Sequence, residues 1–355
     1  MKHRWYNMRA MPGVTESREL RYLRYLHLVR CPRCTKSSLE YQDRVEGTLY
    51  CSVCTATYPI VDEIPRLFWE PENSREDNVT HRIQRFYEQN PFPGYEEFDD
   101  LAALVEKARE GHFARLLDEQ IPFGVRVLEC GCGTGQLSNF LGIAHRTVFG
   151  TDLALNSLSM AEKFRHTHQL DRVFFLQMNL FFPAFPPASF DYVICNGVLH
   201  HTAQPFSGFQ QLVRLVRPGG YLIVGLYHRF GRIPTDLRRL LFRLTGERLQ
   251  FLDPRIRKVA LGKQRRRAWY ADQYQNPHES KHTISEIISW LDRSGCELVR
   301  TIPRTRLLDS PSKSEKLFEP ERSGGRWERA LVEFGQTFSR SAEGGFFTVI
   351  ARRRH

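Results

Sequence analysis

Two groups of residues carry spacing that chemistry can use. The first is a pair of CxxC turns, Cys31-Pro32-Arg33-Cys34 and Cys51-Ser52-Val53-Cys54, separated by sixteen residues. Each turn can aim two thiolates at one ion, and two turns set face to face complete the tetrahedral sulfur shell that zinc prefers. All four positions are then taken by protein, which leaves no open site for catalysis. Cys31, Cys34, Cys51 and Cys54 are expected to hold a structural zinc that supplies much of the folding energy of a unit too small for a sizeable core. Four free thiols or a redox pair fit the doubled motif less well.

The second group begins with Val127-Leu128-Glu129-Cys130-Gly131-Cys132-Gly133-Thr134-Gly135. An apolar run ends on an acid, three glycines alternate behind it, and a helical pattern opens at Gln136. Glycines at such a turn let the backbone come close to a ligand in the crevice beyond the strand ends. The next apolar run ends Val148-Phe149-Gly150-Thr151-Asp152, where a carboxylate can accept from both hydroxyls of a ribose. That geometry serves NAD or an adenosyl ligand equally. A dinucleotide fingerprint needs Gly or Ala at 136, and Gln136 stands there, which weakens the NAD reading. Further on, Asn196-Gly197-Val198-Leu199-His200-His201 places two imidazoles just past another strand-like run.

The elements that must hold these groups read as alternating short strands and helices. Strand-like runs fall at 126–129, 146–151, 172–177, 190–196, 221–226, 296–302 and 346–352, the last as an edge or antiparallel strand. Helical patterns fall between most of them, at 136–144, 157–169, 206–217 and 285–294. Such alternation argues for a mainly parallel sheet covered on both faces. Upstream, 1–30 reads as a leader with a helix over Arg18–Val29, 31–68 as the zinc ribbon with a short hairpin between its cysteine pairs, and 69–122 as a linker and helical lead-in. A helix is expected around Arg82–Gln89, and another over 101–120. Two prolines and a glycine keep Asn90–Tyr95 from being helical. The remaining residues, 123–355, form one domain interrupted by an insertion at 229–282.

The chain has 355 residues, is 41% hydrophobic and carries a net charge of +11. These values suit a globular chain of one large domain plus a small one, or of two medium domains. The insertion concentrates the charge, with 14 Lys/Arg against 5 Asp/Glu, and suggests an anionic partner or a solvated helical face. Trp269, Tyr270 and Tyr274 add stacking faces that suit an aromatic acid, a nucleotide or an RNA base. No stretch approaches the roughly eighteen apolar residues of a membrane helix. The basic start Met1-Lys2-His3-Arg4-Trp5 is followed by no apolar run, so a cytoplasmic protein is expected.

Two resemblances extend this reading. The cysteine turns, with Thr57-Tyr58-Pro59-Ile60-Val61-Asp62-Glu63-Ile64-Pro65-Arg66-Leu67, resemble the small zinc-ribbon activator that partners several tRNA and translation-factor methyltransferases. The resemblance implies help with stability or substrate docking, fused here to the catalytic partner. Residues 125–230 firmly, and 283–352 loosely, resemble the class I S-adenosylmethionine (SAM)-dependent methyltransferases, in particular the branch with ubiquinone, menaquinone and other small-molecule methyltransferases. VLECGCGTG, the acid at 152, FDYVICNGVLHH and LVRPGGYLIV stand in that family's order and spacing.

The second resemblance implies a Rossmann-like, doubly wound α/β fold with a seven-stranded, mainly parallel sheet. It implies Glu129 and the turn of Gly131, Gly133 and Gly135 at the methionine part of SAM. It puts Asp152 on the ribose, Asn179 and Leu180 at the adenine, and Asn196 at the mouth between cofactor and acceptor. Asn179 departs from the family's frequent Asp, though its side-chain oxygen can still accept. The sulfonium already activates the methyl group, so the protein must chiefly align a nucleophile. For a hydroxyl acceptor a base helps, and His201 is preferred over His200.

The expected activity is therefore methyl transfer to a small-molecule or lipid-like acceptor, for which an anion fits. An RNA or translation-factor methyltransferase is the alternative, with nucleic acid on the basic insertion. Against it, position 196 opens Asn-Gly-Val-Leu rather than the Asn-Pro-Pro-Tyr of the amide and base N-methylating branch. A non-catalytic SAM-binding scaffold and a dehydrogenase are weaker alternatives. No obligate protein partner follows from the sequence.

Overall fold

Strands form where the apolar runs fall, and their order is set by how the chain winds. The computed structural model describes residues 24–42, 47–71, 79–93, 100–257, 262–306, 315–321, 324–337 and 345–355. Most of the expected helix over Arg18–Val29 lies outside them; within them only a single 3-10 turn, Leu26–Leu28, forms. The ribbon contributes β1 (Glu40–Gln42), β2 (Thr48–Tyr50), β3 (Thr57–Val61) and β4 (Ile64–Leu67), an antiparallel meander. Helix α1 (Val79–Gln89) begins three residues earlier than expected. The single helix expected over 101–120 is two, α2 (Leu101–Glu110) and α3 (His112–Gln120), because Gly111 between them is extended. Asp100 caps α2 by accepting from the Ala103 amide at 2.7 Å, as a helix N-cap should.

The α/β core then follows as β5 (Arg126–Cys130), α4 (Gln136–Gly142), β6 (Thr147–Asp152), α5 (Leu155–Thr167), β7 (Val173–Met178), β8 (Phe190–Asn196), α6 (Pro205–Leu215) and β9 (Val216–Tyr227). The insertion supplies α7 (Ile233–Leu244), a short α8 (Pro254–Arg257), α9 (Lys263–Tyr270) and one π-type turn, Ala271–Gln275. The chain closes with α10 (Ile284–Arg293), β10 (Cys296–Ile302), α11 (Arg326–Gly335) and β11 (Phe346–Arg353).

Strands β5 to β9 are parallel and β11 and β10 complete the sheet antiparallel, in the order β7-β6-β5-β8-β9-β11-β10. The last strand is thus antiparallel as expected, but it lies between β9 and β10, and β10 takes the edge. The sheet is not closed at seven. Strand β4 pairs parallel to β7, Arg66 opposite Gln177 and Leu67 opposite Met178, so the ribbon extends it to eleven strands. Alternating residues pack into two cores: Leu128, Phe149, Phe174 and Val193 on one face, Val127, Val148, Val173 and Ile194 on the other. The period-2 alternation of strand side chains produces this division. Between β5 and β8 the winding reverses, which opens a crevice at their C-terminal ends.

Candidate active site

The residues singled out for ligand chemistry converge at that crevice. A cavity of about 1120 Å³ is lined there by Glu129, Gly131, Gly133, Asp152, Asn179 and Leu180, and equally by Asn196 and His201. Gly135 is not part of the lining; it opens α4 at φ +72°, with Ala161 and Phe175 where a Cβ would be. Nor do the other glycines simply make room for a ligand. A Cβ on Gly131 would stand 2.2 Å from Cγ2 of Val198, and one on Gly133 2.2 Å from the Phe92 carbonyl oxygen. The turn is therefore clamped between the β8 loop and the 90–93 segment.

Glu129 is buried at the end of β5 and accepts from the Ser138 hydroxyl. Burial pushes its carboxyl up to about 7, against the Ser138 hydrogen bonds that lower it. Asp152 Oδ2 accepts from Gly133 N–H at 2.8 Å and Oδ1 from Ala154 N–H at 2.9 Å. Burial raises its pKa too, opposed by those amides. Asp152 thus ties the glycine turn to the start of α5 while keeping lone pairs toward the cavity. Asn179 is buried and its Oδ1 accepts from Phe181 N–H at 3.1 Å, so one of its two lone pairs is already committed. Asn196 is exposed at the end of β8.

The two histidines separate cleanly. His200 is fully buried, with neither ring nitrogen paired, and burial holds its pKa well below the usual value. His201 Nδ1 lies 2.7 Å from the His278 carbonyl oxygen. A carbonyl only accepts, so Nδ1 carries the proton and Nε2 keeps the lone pair. Burial lowers the His201 pKa, partly opposed by Asp272.

Above His201 sits the insertion. Its π-type turn directs Asp272 and Gln273 into the cavity, and π-type turns recur at functional sites. Tyr87 of α1 donates to Asp272 at 2.8 Å, and Gln273 Nε2 donates to Tyr227 Oη at 2.7 Å. Sequence reasoning missed Tyr87 and Tyr227. Nothing local signals that a tyrosine on α1 meets an aspartate 185 residues away.

The basic insertion divides its charge: Arg229, Arg243, Arg248, Arg266 and Arg267 are exposed, whereas three other arginines turn inward. Arg232 is fully buried, stacked 3.7 Å over the Tyr227 ring and paired to Glu279 at 2.6 Å. Arg239 shares Glu279 at 2.9 Å, and Arg238 donates to Tyr274 Oη at 3.1 Å. Of the three aromatic residues proposed for stacking, Trp269 lines the cavity. Tyr270 and Tyr274 pack with Phe242, and with Trp269 as well, in a core of the insertion.

The ribbon cysteines also come together. Their sulfurs lie within 4.8 Å of one another, with Cys31 and Cys54 3.5 Å apart and Cys34 and Cys51 3.6 Å apart. A tetrahedral shell with zinc–sulfur bonds near 2.3 Å needs separations of about 3.8 Å, so the four fit zinc. The Tyr58 and Ser37 hydroxyls approach Cys31 and Cys51 sulfur at 3.2 and 3.0 Å and can donate to thiolates. The knuckles match in detail: Thr35 and Thr55 both sit at φ +58° and both donate to the preceding cysteine carbonyl at 2.7 Å.

Residues 128–224 match the family described as a methyltransferase domain, and residues 23–63 the family described as Trm112p-like protein. An uncharacterized protein of Synechococcus is 28% identical over 239 residues, 59% of this chain and 56% of the relative. A ubiquinone biosynthesis O-methyltransferase of Paracidovorax citrulli is 36% identical over 107 residues, 30% of this chain and 45% of the relative. The chain spans about half the length of the curated relatives it matches. Among solved structures, magnesium protoporphyrin IX methyltransferase of Synechocystis is similar at 14% identity and TM-score 0.45, covering 79% of this chain and 99% of that one. The complex of the Haloferax volcanii Trm112 methyltransferase activator with a putative methyltransferase is similar at 16% identity and TM-score 0.42, covering 71% and 94%. No helix among the described residues is long and apolar enough to cross a membrane.

Proposed function

We propose that this chain, a methyltransferase domain joined to a Trm112p-like zinc ribbon, transfers a methyl group from SAM to a small-molecule or lipid-like hydroxyl acceptor. The observation that carries the reading is the shared cavity, lined by Glu129 and Asp152 and equally by His201 and the insertion residues Asp272 and Gln273. SAM supplies a methyl group already activated by its sulfonium. Glu129 faces the cationic methionine part, Asp152 accepts from the ribose, and Asn179 and Leu180 flank the adenine. Asn196 stands between cofactor and acceptor. His201 Nε2 takes the hydroxyl proton as the acceptor oxygen forms its bond to the methyl carbon and the carbon–sulfur bond breaks. The lid excludes water and orients the acceptor. Lys107 and Arg306 on the cavity wall suit an anionic acceptor. Zinc, held by Cys31, Cys34, Cys51 and Cys54, is structural.

The ribbon favours a second reading, methylation of RNA or a translation factor. Arg232, Arg238 and Arg239 turn inward and are withdrawn from phosphates, while Arg229, Arg243 and Arg248 stay exposed, so the fate of the label decides. Methyl-labelled SAM, incubated with the protein and a fractionated host extract, separates the readings. Label in the organic-soluble or small-molecule fraction, lost in Asp152→Ala, supports the first. Label in RNA or protein overturns it.

A further inference from the structure

Helix α7 is built inside out. Its inner face holds Thr235, Arg238, Arg239 and Phe242. Its outer face carries Ile233, Leu237, Leu240 and Leu244, at helical spacing, the three leucines 63%, 56% and 76% exposed. Helix α11 repeats the arrangement. Glu333 is buried and accepts from Ser285 N–H at 2.9 Å, while Trp327, Leu331 and Phe334 are 86%, 58% and 55% exposed. The stripes approach each other where Phe334 meets Phe230 at the head of α7, ring centroids 6.2 Å apart. Scattered exposed leucines are ordinary, whereas two apolar stripes at helical spacing on helices whose inner faces are partly polar mark an interaction surface.

The charges around the stripes indicate what covers them. Arg229, Arg243, Arg248 and Arg326 are exposed beside them, and none is in an ion pair among the described residues. Glu247 and Glu328 also lie there and keep their charge while accepting from Gln250, Gln275 and the Gly325 amide, so four arginines face two carboxylates and the border stays net positive. Leucine and tryptophan bordered by arginine suit the boundary between acyl chains and anionic headgroups. Two copies set face to face would bring these arginines against one another. On its other side α11 lends Val332 and Gln336 to the cavity wall. The cavity and the patch therefore share one helix.

We infer that the outer faces of α7 and α11 dock this protein on an anionic bilayer surface, without spanning it. Flotation with vesicles of phosphatidylglycerol and phosphatidylcholine, and of phosphatidylcholine alone, tests this on the full chain. The full chain floats with the anionic vesicles and several-fold less in 0.5 M salt. Leu237→Glu with Leu240→Glu, and separately Trp327→Ser, lower the partition coefficient about tenfold or more while the melting temperature stays unchanged. Flotation equal in both variants and the wild type overturns the proposal. So does a lipid-free dimer, seen by light scattering, that the glutamate variant converts to monomer. The readout needs no methyl transfer, so its failure leaves the proposed chemistry standing, and failure of the chemistry leaves the docking result standing.

Discussion

The Nδ1 of His201 points at the carbonyl oxygen of His278, 2.7 Å away, so the insertion itself decides which nitrogen of His201 is free. Returning the contact, His278 Nε2 lies 3.1 Å from the Thr202 carbonyl, and Ser280 N–H donates to the His200 carbonyl at 2.7 Å. The insertion and the 200–202 turn form one clasp. His201→Gln keeps a donor for His278 but no base, and kcat toward a hydroxyl acceptor should fall about 10²–10⁴-fold with SAM affinity unchanged. Because burial holds the His201 pKa below its ordinary value, the wild-type rate should rise with pH and level off before alkaline pH. A rate still climbing between about pH 7 and 8.5 would assign the proton to another group.

Glu129 sets a second pH dependence of the same sign, read in binding rather than in rate. Its carboxyl, raised by burial to about 7, is half protonated near neutrality, while a cationic ligand needs it ionised. Affinity for SAM should grow by up to about tenfold per pH unit as pH rises toward 7 and level off above it. Binding near pH 6.5 should release a proton, seen by calorimetry in buffers of different ionisation enthalpy. Glu129→Gln should bind more weakly and show no slope.

Zinc removal should be felt beyond the ribbon. Metal binding supplies folding free energy to such units, and β4 is hydrogen-bonded to β7. Chelation, or Cys51→Ser, is expected to lower the melting temperature of the whole chain by about 3–4 °C, on the order of 2–3 kcal/mol. Metal analysis should return one zinc per chain. A two-step melt with the main transition unmoved would show the ribbon to be energetically separate.

At Gly131, backbone and packing costs can be measured apart. The residue sits at φ +72°, and a Cβ would meet Val198 at 2.2 Å. Gly131→Ala should cost about 2–4 kcal/mol in chemical denaturation, combining strain at positive φ with overpacking. Adding Val198→Ala should recover the packing share and leave about 1 kcal/mol of backbone cost. Full recovery would mean the turn can reach negative φ.

Much of this was legible because it is local. Paired cysteines, a glycine turn behind an acid, and an acid closing the next strand are each written within a few residues, and the switch point of a doubly wound sheet brings such strand ends together. What stayed hidden depends on distant partners. Composition counts Arg232 as surface charge, but Glu279, 47 residues away, draws it inside. Tyr87 gains its meaning from Asp272, and Tyr270 and Tyr274 lose theirs to Phe242. The break at Gly111 was readable in principle, since a glycine mid-helix is a weak point. The pairing of β4 with β7 had no sequence signal, because both segments look like ordinary apolar runs.

That pairing has a consequence for stoichiometry. A ribbon supplied as a separate subunit would find its partner by diffusion, and occupancy would follow the expression of both. Here the ribbon's strand already lies on the β7 edge, a tethered addition whose effective concentration is set by the chain between β4 and α1. A second ribbon arriving in trans would compete for an edge that every copy has filled for itself.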